Sequence, residues 1–116
     1  MGALSIKLRG VEQAVKGLER YARTKNDRIR EATKIAAVNV DLMAKQNAPV
    51  DTGRLRSSLT FELEGLTGVV FTVVDYAPHV EYGTVRARAQ PFLFPAWESE
   101  RPKYEQRIKE ILRQLS

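Results

Sequence analysis

The sequence contains no cysteine, which excludes a disulfide scaffold and thiolate-bound zinc. That composition fits a reducing compartment. Histidine occurs once, at His79, so a metal site would have to combine it with Asp75 and Glu81, an unusual set where zinc draws on several His or Cys ligands. We therefore expect no metal and no cofactor. No apolar run approaches the roughly 20 residues needed to cross a bilayer, and the N-terminus lacks the charged-then-apolar pattern of a signal peptide, so no membrane partner is expected. Gly65, Gly68 and Gly83 are too scattered for a phosphate-binding loop. Ser57, Ser58, His79 and Asp75 supply the residue types of a nucleophilic triad, but no G-x-S-x-G elbow accompanies them. The chain reads as a non-enzyme.

What is present fits one small domain over residues 1–116, because 116 residues with 43% apolar content can bury a modest core. The formal charge of +5 and a pI near 9.7 invite a nucleic-acid reading, in which clustered Lys and Arg neutralise phosphates. Acidic residues are interspersed with the basic ones in the helical stretches, as on ordinary solvated faces. Arg54, Arg56, Arg86 and Arg88 remain in loop-like settings without adjacent acids. They carry the alternative function, a basic module contacting phosphates.

Apolar periodicity orders the chain. Leu4, Ile6 and Leu8 alternate with polar residues as in a half-buried strand, and Gly10 ends it. Val11, Val15, Leu18 and Ala22 share one face of a first helix. A second helix starts after the capping residues of Thr24 to Asp27, with Ile29, Ala32, Ala36, Val40 and Met43 as its stripe, and stops before Pro49. Leu59, Phe61 and Leu63 define a strand with one wet face, Gly65 to Gly68 a turn, and Val69 to Val74 a strand covered on both faces. Trp97, Tyr104, Ile108, Ile111 and Leu115 return to helical spacing, where Pro102 marks either a first turn or a kink. The predicted class is α+β: a small antiparallel sheet, made of the N-terminal strand and a central hairpin, packed against two or three helices that include a long second helix and a C-terminal helix.

Two blocks stand apart, APVDTGRLRSSL at Ala48 to Leu59 and YAPHVEYGTVRARAQPFLFPA at Tyr76 to Ala96. Both are dense in turn-forming or large residues without a catalytic set, which reads as a docking surface. The triplet Asp51-Thr52-Gly53 occurs in retroviral-type aspartic proteases, where two carboxylates share one proton. Here it follows a helical segment, and we read Asp51 as a turn cap and Gly53 as a source of backbone freedom. The contact edge is expected to comprise Asp51, Thr52, Gly53, Arg54 and Arg56 from the first block. Tyr76, His79, Glu81, Tyr82, Gly83, Thr84, Arg86 and Arg88 complete it from the second. Arg54 and Glu81 are the expected complementary charges. Gly83 is the expected hinge for a segment, Val85 to Gln90, that orders on docking.

The series A-P-V-D-T-G-x-L-x-x-S, Y-A-x-x-V-E-Y-G-T and A-x-P-F-L-x-P-A resembles the neck or tail-completion family of long-tailed phages and prophages, minor tail components of the head–tail joining region. The matching residues are Ala48, Pro49, Asp51, Thr52, Gly53, Leu55 and Ser58, then Tyr76 and Val80 to Thr84, then Pro91, Phe92, Pro95 and Ala96. The resemblance implies a structural virion protein that joins or completes the tail. Its implied partners are further copies of itself in a ring, the head-connector protein, and the tail-tube or tail-terminator protein, with DNA passing nearby in the lumen. The implied location is the virion neck or tail, reached from the bacterial host cytoplasm during assembly.

Overall fold

A computed structural model of the protein describes residues 3–8, 26–50 and 53–114. The expected first helix, Gly10, Asp51, Thr52 and Leu115 lie outside the described residues. The first strand, β1, is Leu4–Leu8, followed by the long helix α1 at Asn26–Asn47 and a short helix α2 at Arg54–Ser58. The hairpin strands are β2, Thr60–Glu64, and β3, Thr67–Thr72. A second short helix, α3, spans Ala77–Tyr82, and α4 spans Phe94–Arg113. The class is the predicted α+β.

Among the described residues the sheet runs β1-β3-β2 with both pairings antiparallel. The register sets Ile6, Val70 and Phe61 side by side, and Leu8 beside Gly68 and Leu63. This row faces α1, because successive strand residues alternate between faces and a Cβ built at Gly68 would lie 3.1 Å from Thr33 Cγ2 and 3.6 Å from Ala37 Cβ. Glycine at 68 and small residues on α1 thus let helix and sheet approach closely. Opposite, Thr60, Glu62 and Glu64 form the expected wet face of β2. The turn is shorter than predicted. Gly65 and Leu66 alone join the strands, and Gly65 has the positive φ, +58°, that a type II′ turn requires at its first central position. Thr67 and Gly68 belong to β3, which stops at Thr72, and Val73 is exposed.

Helix α1 buries Ile29, Ala32, Ala36, Val40 and Ala44, the predicted stripe except at its end, where Met43 is only partly buried and Ala44 takes the core position. It packs on the sheet and, along another part of its surface, on α4. Ala96, Tyr104, Ile108 and Ile111 supply the buried face of α4. Burying side chains of this size contributes about 1.5–3 kcal/mol each for the larger ones. The two helices are also joined by polar contacts. Thr33 Oγ1 and Tyr104 OH lie 2.8 Å apart in the core. The buried Glu100 carboxylate accepts from Asn39 Nδ2 at 3.1 Å and Arg107 Nη1 at 3.0 Å, so its charge is paired where it is withdrawn from water. Pro102 neither starts nor ends α4 but lies inside it. Its missing N–H leaves the carbonyl of Glu98 without a helical donor, and the flanking contacts to α1 hold the helix through that point.

Candidate functional site

The first block leaves α1 at Asn47, turns through Ala48 and Pro49, and starts α2 at a glycine. Gly53 has φ +71°, a left-handed conformation that glycine adopts without steric cost. From α2, Leu55 enters the core, while Ser58 faces the end of β3. Ser58 Oγ donates to Leu55 O at 2.6 Å and lies 2.6 Å from Thr72 Oγ1, which also accepts from the Val74 N–H at 3.2 Å. Because the Ser58 proton is directed at Leu55, Thr72 is the donor to Ser58. This relay fixes α2 against the strand that leads into the second block.

The second block opens with α3, which carries Pro78 in its first turn. Arg54 lies over the Tyr76 ring with its guanidinium carbon 5.6 Å from the centroid, a cation–π contact between the blocks. Glu81 departs from the expectation of a surface charge facing Arg54. It is only 4% exposed, and its carboxylate accepts three backbone N–H groups at the start of α4. Phe92 and Leu93 donate to Oε1 at 3.1 and 2.9 Å, and Phe94 donates to Oε2 at 3.1 Å. A helix N-terminus presents orphan donors and partial positive charge, so a carboxylate is the favoured cap. Leu93, at the N-cap position, makes no side-chain cap of its own, and Glu81 does this from a distant part of the sequence.

Gly83 closes α3 with φ +79° and ψ 174°, a region restricted essentially to glycine. A Cβ there would meet Ala89 N at 2.7 Å, so the glycine also allows the following loop to fold back. Thr84 organises that loop. Its Oγ1 accepts from the Arg86 and Ala87 N–H groups at 3.2 and 3.0 Å, and its own N–H donates to Ala87 O at 2.9 Å. The Gln90 N–H donates to Val80 O at 2.8 Å, tying the loop's end to α3.

Between these pieces lies a groove of about 340 Å³. Pro49 and Leu55 line it from the first block, Tyr76, His79 and Val80 from α3, and Thr84, Ala87, Arg88 and Gln90 from the loop. Within the second block Tyr82 is 73% exposed, Phe94 is 51% exposed, and Val85 has no cover at all. Of the residues singled out from the sequence, Tyr76, His79, Thr84 and Arg88 meet at this groove, with Arg54 stacked on its wall. Arg86 and Tyr82 are exposed. Arg56 is half-buried and lines a separate hollow with Leu42, Lys45 and Gln46, so the four arginines do not form one row. Val85 lies in the segment expected to order on docking but was not singled out as a contact, and Phe94 was not among the expected contact residues. Their signal is an apolar side chain within a polar loop and a phenylalanine directly after the buried pair Phe92 and Leu93.

Among the described residues no cluster of His, Asp or Glu is placed to hold a metal ion, and no helix is long and apolar enough to cross a membrane. The arrangement defines a small α+β module in which two sequence blocks frame a formed groove. Residues 12–83 match the family described as "Bacteriophage HK97-gp10, putative tail-component". The chain belongs to that family of phage tail proteins, as its sequence blocks implied. The matched segment spans the first block and α3 and ends at Gly83. No curated protein and no solved structure shows significant similarity to the chain.

Proposed function

We propose that this tail protein is a structural, non-catalytic subunit of the head–tail joint. It assembles with further copies of itself into a ring and bears on the head connector on one side and the tail tube or its terminator on the other. The observation that carries this reading is the convergence of the two blocks. The relay from Val74 to Leu55 and the Glu81 cap hold both of them rigidly around one groove, and Tyr82, Val85 and Phe94 of the second block are exposed. Exposed apolar side chains grouped near a groove mark interaction sites, and rigid presentation lowers the ordering cost of association. Gly53, which opens α2, belongs to the same edge. The subunit enters the neck from the host cytoplasm and stays in the virion.

Antibody labelling of purified particles in the electron microscope tests the location. Label is expected at the junction of head and tail. Label confined to the distal tip, or spread along the tube, contradicts the neck assignment. Light scattering of particle-derived protein is expected to report a defined oligomer.

A further inference from the structure

We propose that the groove between α2 and the loop of residues 84–90 receives an extended segment of a partner protein that carries a carboxylate next to an aliphatic side chain. This inference rests on the assembly reading and names the chemistry of one contact within it.

The cavity of about 340 Å³ is at the small end of the range for ligand sites, enough for an aliphatic side chain or two. Pro49, Leu55, Val80 and Ala87 give it apolar walls. The lining side chains that are ionisable are Tyr76, His79 and Arg88, and none is a carboxylate. A second cation, Arg54, stands on the Tyr76 ring that forms part of the wall. Arg88 is exposed and makes no ion pair among the described residues. The site is thus an apolar hollow edged by the Arg88 guanidinium, complementary to an apolar side chain followed by a carboxylate. Where Val85 to Gln90 were expected to order on docking, the loop that makes one wall is already tied by Thr84 and by the bond from Gln90 to Val80.

A second copy is a poorer occupant on charge. Among the described residues the most exposed large apolar side chain is Val85, which precedes Arg86 on the same loop. Seating that loop in a neighbour's groove would bring Arg86 and Arg88 toward that neighbour's Arg88 and Arg54. Like charges at a contact oppose docking, and the net charge of +5 adds to the repulsion. A nucleic acid would satisfy the arginines but leave the apolar hollow unused.

The test uses the isotope-labelled full chain and two short blocked peptides, one alternating leucine with glutamate and the other leucine with glutamine, titrated by NMR. The glutamate peptide is expected to bind about fivefold more tightly, with resonances of Leu55, Val80 and Ala87 moving. That preference should shrink as salt rises and vanish in Arg88→Gln. Equal affinity for the two peptides overturns the proposal, as does perturbation confined to another surface. Displacement of the glutamate peptide by oligothymidylate at equal affinity does so in favour of a phosphate site. Concentration-dependent shifts at the groove residues Leu55, Val80 and Ala87 without peptide do so in favour of a second copy. Loss of carboxylate preference in a protein that still labels the head–tail joint removes this inference alone. A preference that persists in a protein absent from the joint removes the assembly reading instead.

Discussion

Glu81 shows how a single residue can be misread when its partners are remote. Set between Val80 and Tyr82 it looks like a surface charge, yet it holds the first turn of α4 through three N–H groups. Glu81→Ala should destabilise the protein by about 3 kcal/mol, because buried donors lose a charged acceptor. A domain of this size should then melt roughly 10 °C lower by calorimetry. Glu81→Gln keeps one acceptor and should lose about half as much. An unchanged melting temperature in Glu81→Ala would show that the cap is not formed. The two glycines that bound the short helices make a graded pair. Gly53→Ala meets no neighbour within 4 Å and should cost only the left-handed backbone term, about 1 kcal/mol. Gly83→Ala adds a clash with the backbone at Ala89 and should cost about 3 kcal/mol. Chemical denaturation of the two variants separates these values. Gly53 was legible in the sequence as a source of backbone freedom. The capping role of Glu81 was not, since its only local sign is a helix whose N-cap residue, Leu93, has no side-chain acceptor to offer.

At the scale of elements, α1 and α4 are joined by a buried hydroxyl pair set within apolar packing. Tyr104→Phe and Thr33→Val should each cost about 1 kcal/mol by leaving the other hydroxyl short of a partner. The double variant should cost less than the two together. A double-mutant cycle that closes additively contradicts a direct bond between Thr33 and Tyr104. The long elements were readable because apolar period survives over several turns or strand residues. The α1 stripe from Ile29 to Val40 and the alternation in β1 and β2 gave the core faces directly. Helices of five and six residues, α2 and α3, show no full period, and only tertiary contacts such as that of Ser58 with Thr72 hold them. The run from Val69 to Val74 overstated β3 for a related reason. Composition marks where a chain favours extended backbone, but sheet pairing decides where a strand stops, and here pairing ends at Thr72.

For the whole molecule, the sequence indicated two blocks but not the groove, which exists only because α2 and the loop of residues 84–90 meet in space. The blocks also divide their labour in a way composition does not reveal. Leu55, Ser58 and Glu81 build the frame, while Tyr82, Val85, Arg88 and Phe94 face outward. The central claim is that this outward edge is what the protein contributes to the virion. The most direct test is complementation of a phage or prophage lacking the gene with the double variant Tyr82→Asp, Val85→Asp, whose substitutions lie on exposed positions and should leave the melting temperature within a few degrees. The account predicts that this folded variant is missing from purified particles and that infectious titre collapses. A variant incorporated at the normal level, with normal titre, would contradict it.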